Sequence, residues 1–320
     1  MQLNSEVITT PPRASATVVL LRDAPQKGLE VFLLRRHTDS AVLGGAYVFP
    51  GGKLDKADSD EKVLRHLDRD PSELLRALAE TDMKIDMAAG LYVAAIREAL
   101  EECGVLYARA RTSHALAHDE HQRAQWQKQL HEGVKFGDVL ASADLQLDTH
   151  HLAPWSRWIT PRMPSVTSKR FDTRFFVAVL PPNQTPIHDD VEAVDSIWLT
   201  PKDGLLRYWN REISMAPPQI MTLVNLLPFK DCASVLQATL ARKPSVVMPE
   251  TFDEDGFRQI CYPGDPHHSI QEKTMLGPTR LRFVEGRFEP KDGVEAFLKD
   301  RKSTRLNSSH SSVSRMPSSA

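Results

Sequence analysis

The stretch Arg97-Glu98-Ala99-Leu100-Glu101-Glu102-Cys103-Gly104-Val105 constrains this chain more than any other. On a helix advancing about 100° per residue, Glu98, Glu101 and Glu102 stand at i, i+3 and i+4 and share one face. Val93, Ile96, Leu100 and Cys103 gather on the other, so the helix is expected to lie on a sheet and present its carboxylates outward. Gly104 supplies the left-handed residue that ends such a helix and turns the chain into the next strand. Like charges at these spacings repel, which suits either open solvent or a hard cation, and oxygen-only ligands suit Mg²⁺ or Mn²⁺. An isolated acidic triplet is more often merely solvated. The five fixed letters of RExxEExG change that balance, because a chance match in a chain this long is improbable, on the order of a few in ten thousand.

Around this helix the pattern interleaves α and β. Residues 1–14 are polar, carry Pro11 and Pro12, and read as a flexible leader. Ala16–Arg22 and Leu29–Arg36 are β-rich runs flanking Pro25 and Gly28, which predicts a hairpin. A short strand at Ala46–Phe49 runs into Pro50-Gly51-Gly52, where regular structure must stop and backbone can approach something closely. From about 60 to 103 the spacing is helical, with Val63, Leu64 and Leu67, then Leu74, Leu75 and Leu78, and Pro71 dividing two helices. Strands are expected at Val105–Tyr107, Phe175–Leu180 and Ser196–Leu199, and a proline-started amphipathic helix after Pro217-Pro218. Beyond 243 the runs are short and β-rich, with a hairpin at Leu281–Phe288. The serine-rich residues 301–320 are expected to be disordered, with a read-through artefact as the alternative to a native tail.

Charge excludes several functions. Forty Lys and Arg against 42 Asp and Glu give a net charge of −2, so no global field attracts nucleic acid or anionic lipid. A polyanionic substrate would need local cations or a metal. Cys103, Cys232 and Cys261 lie far apart without CxxC spacing, which argues against a zinc ribbon or disulfide framework and for a reducing compartment, the cytoplasm. No apolar run approaches the roughly 18 residues of a spanning helix, and the N-terminus lacks the apolar core of a signal peptide. No nucleic-acid or membrane partner is expected, and the oligomeric state is open.

The box at 97–105, opened by Gly52, resembles that of the Nudix hydrolases, G-x5-E-x7-R-E-U-x-E-E-x-G-U with U apolar. Gly51-Gly52-Lys53-Leu54-Asp55-Lys56-Ala57-Asp58-Ser59, with WSRWITP at 155–161, RFDTRFF at 170–176 and WLTP at 198–201, resembles the long-insert acyl-coenzyme A diphosphatase branch of that family. The resemblance covers roughly residues 15–230. It implies an α/β class fold, a Nudix-type α/β/α sandwich around a mixed sheet, interrupted by a helical insertion at 59–89; the domain is expected to span 15–242, and the short β-rich runs after it are expected to form a small extension at 243–300. It also implies a metal-dependent diphosphatase, taking Mg²⁺ or Mn²⁺ and a small nucleoside diphosphate derivative. Glu98, Glu101, Glu102 and the Gly51 carbonyl would hold metal, Glu98 would double as the base, Arg97 would orient a neighbouring carboxylate, and Glu98, Arg97 and Glu102 form the expected catalytic set.

Two departures stand out. Asp58 occupies the family's Glu position, and 38 residues separate it from Arg97 in place of seven. Ala41 stands where coenzyme A-type members carry Arg, although Gly45 and Phe49-Pro50-Gly51-Gly52 match. Coenzyme A or its thioesters are the expected substrates. An ADP-ribose-type diphosphatase, and a non-hydrolysing nucleotide-binding module, are the alternatives. Arg35, Arg36, Arg170 and Arg174 are candidates for phosphate contact because cations must be local, and Glu192 is a candidate extra carboxylate. His114, His118 and His121 have helical spacing without a cysteine and read as an exposed helix rather than zinc ligands. Trp155, Trp158 and Phe171 read as core aromatics or as a platform for adenine. The insertion, with its two apolar stripes, is expected to form a wall of the pocket beside the catalytic groove.

Overall fold

The computed structural model describes residues 6–40, 42–111, 119–163 and 169–299; Ala41, His114, His118 and the serine-rich tail lie outside them. In chain order the elements are β1 (Arg13–Ala24), β2 (Gly28–Arg36), β3 (Tyr47–Val48), β4 (Gly51–Lys53), α1 (Glu61–Leu64), α2 (Pro71–Leu78), α3 (Ile85–Cys103), β5 (Ala108–Ala110), α4 (Glu120–His131), α5 (Phe136–Ser142), β6 (Leu145–Leu147), β7 (Ala153–Ile159), β8 (Phe171–Val179) and β9 (Ala193–Leu199). There follow α6 (Pro201–Trp209), α7 (Pro217–Leu226), α8 (Cys232–Leu240), β10 (Ser245–Val247), β11 (Glu250–Glu254), β12 (Phe257–Cys261), β13 (Arg280–Val284), β14 (Arg287–Glu289) and α9 (Glu295–Leu298). The strand expected at Val105–Tyr107 is buried coil, and the strand proper starts at Ala108.

A mixed sheet runs β10-β7-β8-β1-β2-β3, with β4 also paired to β1 and β9 to β2. β1 pairs with β8 in parallel and with β2 and β4 antiparallel. Successive side chains of a strand point to opposite faces, and β1 is buried on both, so it is central. Ala16, Val18 and Leu20 join Phe32, Leu34 and Phe176 on a first face, covered by α3. Val19 and Leu21 join Val31, Leu33, Phe175 and Val177 on a second face, covered by α6, α7, α8 and the C-terminal strands. The sheet is thus sandwiched between two helical layers.

Helix α3 is the spine of the first layer. Its alanines let it lie close on the sheet, and Tyr92 packs 4.6 Å from the Phe176 ring. Gly104 closes it in the left-handed region, φ +67, its N–H reaching back to the Ala99 and Leu100 carbonyls. The helix begins at Ile85, within the insertion, so the end of the insertion lengthens it by five residues, about one and a half turns. The rest of the insertion packs beneath the same face: Val63, Leu67, Leu74 and Leu78 are buried in that core. Pro71 starts α2, with the Asp70 carboxylate accepting the Ser72 N–H. Asp68 accepts from the Thr149 backbone and hydroxyl and from His150, which clasps the insertion to the segment before β7.

The C-terminal strands cover the second face. β10 adds in parallel to the edge strand β7, with Val247 opposite Trp158. The sheet β11-β12-β13-β14 then folds over α6 and α7. Tyr208 of α6 fastens it, donating to the Phe288 carbonyl at 2.6 Å and accepting the Phe288 N–H at 2.9 Å. Among the described residues no helix is long and apolar enough to cross a membrane, and the three cysteines are free and buried.

Candidate active site

Strand β4 and the carboxylate end of α3 meet at Gly51-Gly52. A Cβ at Gly51 would lie 2.6 Å from the Thr17 Cα, and one at Gly52 would run into the Glu98 carboxylate, so only glycine lets the loop and helix close this far. The Gly51 N–H donates to Glu102 Oε2 at 2.9 Å. Arg97 is buried and organises the rest. It donates to both Asp58 oxygens at 2.9 Å, to Glu98 Oε1 at 2.9 Å, to Glu101 Oε2 at 2.8 Å and to the Lys53 carbonyl at 3.0 Å. Burial disfavours its charge, but the bonds to Asp58 and the charges of Glu98, Asp58 and Glu101 more than compensate. Asp58, shorter than the family's Glu, completes a bidentate pair with Arg97 and also accepts the Asp55 N–H.

These carboxylates resist ionisation. Burial pushes Glu98 up to about 7 against the pull of Arg97, with Glu101 adding repulsion. Burial, reinforced by the charge of Glu98, raises Glu102 well above the usual carboxylate range. Glu101 is also raised by burial, partly offset by Arg97. Among the described residues no cation stands within ion-pair distance of Glu102. Two neighbouring buried carboxylates, of which only Glu98 is paired with an arginine, form a donor set that fits a hard divalent cation.

Glu98, Glu102, Gly51 and Gly52 line one end of a cleft of about 460 Å³, which falls in the range of small-molecule sites. The cleft lies on the second face of the sheet, and the box carboxylates reach it past β4. Arg13, Arg36 and Lys53 line it as well. Arg36 meets Glu192 at 3.4 Å, and Glu192 also lines the cleft. The other proposed phosphate contacts go elsewhere. Arg170 is buried and donates to the Thr160, Pro161 and Thr10 carbonyls. Arg174 is buried and bound by Glu80 and Asp172, and Arg35 is not part of the lining. Arg13 and Lys53 were missed by sequence reasoning. Their only signal is the register that puts Arg13 opposite Phe171 and Lys53 opposite Ser15.

Trp158 and Phe171 line the cleft, whereas Trp155 belongs to the core of the second face. The insertion does not form a wall. Its helices pack on the first face, with the sheet between them and the cleft, and it is the C-terminal region that contributes Pro249, from the loop before β11, with Ile260 and Phe288. A second cluster, Asp68, Asp148 and His150, brings its ligand atoms within 4.8 Å of one another on the insertion side. Asp68 is already satisfied by Thr149 and His150, and Asp148 is paired with Arg109 at 2.8 Å, so this group reads as a clasp.

Residues 12–226 match the family described as the NUDT19 Nudix domain. The chain is 30% identical to the acyl-coenzyme A diphosphatase NUDT19 of Homo sapiens, across 69% of this chain and 66% of that protein. It is 26% identical to the Xenopus laevis protein of that name, with 62% and 60% covered, and 25% identical to the Gallus gallus one, with 84% of each covered. The match thus spans somewhat less than two thirds of the human and frog proteins. Among solved structures, a Nudix hydrolase from Alicyclobacillus acidocaldarius superposes with a TM-score of 0.59 at 26% identity, covering 74% of this chain and 98% of that one.

Proposed function

The chain belongs to the Nudix hydrolases, in the group defined by the NUDT19 Nudix domain, and from that premise we propose that it is a divalent-metal-dependent diphosphatase of coenzyme A or its thioesters. The products would be a phosphopantetheine-type compound and an adenosine bisphosphate. The observation that carries the reading is one cleft joining Glu98, Glu102 and the Gly51-Gly52 loop to a set of local cations and an apolar end. Glu98, Glu101 and Glu102, with the Gly51 carbonyl, would hold Mg²⁺ or Mn²⁺. Such ions supply charge neutralisation on the diphosphate and acidify a bound water.

The chain's own residues divide the remaining work. Glu98 would also accept the proton released by the attacking water. Arg97 fixes Glu98 and Glu101 through one nitrogen while Asp58 holds the guanidinium from behind. Arg13, Arg36 and Lys53 supply the positive charge that a nearly neutral protein must place locally. Buried free cysteines agree with a reducing compartment, and the cytoplasm is the proposed one. The domain boundary proposed at 242/243 is retained, although β10 places the first strand beyond it in the main sheet.

The test is purified protein with Mg²⁺ or Mn²⁺ against coenzyme A, acyl-coenzyme A, ADP-ribose and NADH. Hydrolysis should be abolished by chelation, and kcat/KM should be highest for the coenzyme A compounds. A higher kcat/KM for ADP-ribose would replace the substrate reading, and no turnover of any substrate would favour a nucleotide-binding module.

A further inference from the structure

The register of the sheet draws a line across the cleft floor. Lys53 of β4 stands opposite Ser15 of β1, Ser15 opposite Thr173 of β8, and Thr173 opposite Trp158 of β7. All four line the cleft. At about 4.8 Å per strand the line is roughly 14 Å long, and it runs from a cation through two hydroxyls to an indole. The box carboxylates and the Gly51-Gly52 loop sit at the charged end, beside Lys53. At the indole end β10 pairs with β7, and the chain leaves it through Pro249 into the C-terminal sheet.

We propose that the C-terminal sheet, through Pro249, Ile260 and Phe288, forms with Trp158 and Phe171 the subsite for the thioester-bearing pantetheine arm and its acyl chain. The inference rests on the coenzyme A reading of the site and extends it to a specificity element. A ligand that is anionic at one end, amide-bearing in the middle and apolar at the other matches the sequence of groups along the floor. Ser15 and Thr173 offer hydroxyls at the level of the amides. Ile260 and Phe288 are held by their own sheet and by Tyr208, so the far wall is set before the ligand arrives and little ordering entropy is lost on binding. The wall lies away from the carboxylates, so it can tune which acyl chain is accepted without altering the chemistry.

The experiment measures kcat and KM for free coenzyme A, acetyl-, octanoyl- and palmitoyl-coenzyme A and ADP-ribose, in the wild type, Ile260→Phe and Ile260→Ala. Narrowing the wall with Ile260→Phe should raise KM for the octanoyl and palmitoyl thioesters at least tenfold. The rise should be smaller for free coenzyme A, which fills the subsite with its pantetheine arm alone, and absent for ADP-ribose, which has no such arm. Ile260→Ala should shift the preference toward longer chains. Should Ile260→Phe not fold, Pro249→Phe puts bulk at the same end from the loop before β11. A wild type that cleaves thioesters, with folded variants that change all substrates alike, overturns the subsite and leaves the diphosphatase reading standing. A wild type that cleaves ADP-ribose but no coenzyme A compound overturns both.

Discussion

Two additions surround the same sheet, and they serve it differently. The insertion at 59–89 interrupts the box itself, between Asp58 and Arg97, whereas the C-terminal strands begin about 150 residues further along the chain. Proximity in sequence would assign the first to the catalytic groove. The fold does the reverse. Val63, Leu67, Leu74 and Leu78 of the insertion go under the first face with α3, and Pro249, Ile260 and Phe288 of the C-terminal region reach the cleft on the second. In a sandwich the face an element covers decides what it can touch, because the sheet itself separates neighbours in sequence.

The largest effect expected from this contrast is loss of the fold when residues 59–89 are deleted, although the deletion restores the ordinary seven-residue spacing. It removes four large buried apolar side chains, each contributing about 1.5–3 kcal/mol on burial, from a protein whose whole margin is on the order of 5–15 kcal/mol. Circular dichroism and gel filtration would show it, and a folded, active deletion variant would return the insertion to the surface.

A gentler cut is Glu80→Ala, which strips Arg157 and the buried Arg174 of a shared partner. Stability should fall by about 3 kcal/mol in denaturant titration, since a buried charge is left half-compensated. The order of preference among acyl chains should not change; a reordering would place the insertion in recognition after all.

Between the two additions lies the chemistry, which neither should share. Glu98→Gln and Glu102→Gln should each lower kcat at least about a hundredfold, near 2.7 kcal/mol, and by the same factor on every substrate. Near wild-type rates under controlled metal would make the box decorative.

The smallest effect is electrostatic. In chelator, Glu98 raised to about 7 keeps a proton that the unfolded chain has already released. Its contribution to stability is therefore fully present below about 4.5 and is lost as pH rises through about 7. The stability difference between wild type and Glu98→Gln in chelator should thus move against the wild type between pH 5.5 and 7.5, and saturating Mg²⁺ should reverse it at the upper end. A difference flat across that interval would mean that Glu98 is not desolvated in the metal-free protein.

Local pattern determined a good deal of this protein. The carboxylate face of α3, its Gly104 stop, the hairpin of β1 and β2, the proline starts of α2 and α7 and the hairpin of β13 and β14 all follow from spacings within about 20 residues, where backbone geometry alone fixes which side chains share a face. The family resemblance, carried by Gly51-Gly52 and the box, agrees with the match over residues 12–226. What tertiary structure alone decided is where long-range charges and walls fall. Arg170 and Arg174 look like Arg36 in the sequence, yet carbonyls take up the first and Glu80 and Asp172 the second, while Arg13 and Lys53 reach the cleft through strand register. The insertion's apolar stripes state that it must be buried, but an amphipathic stripe carries no information about which face of a distant sheet will receive it. That choice is made by the topology, and with it which of the two additions meets the substrate.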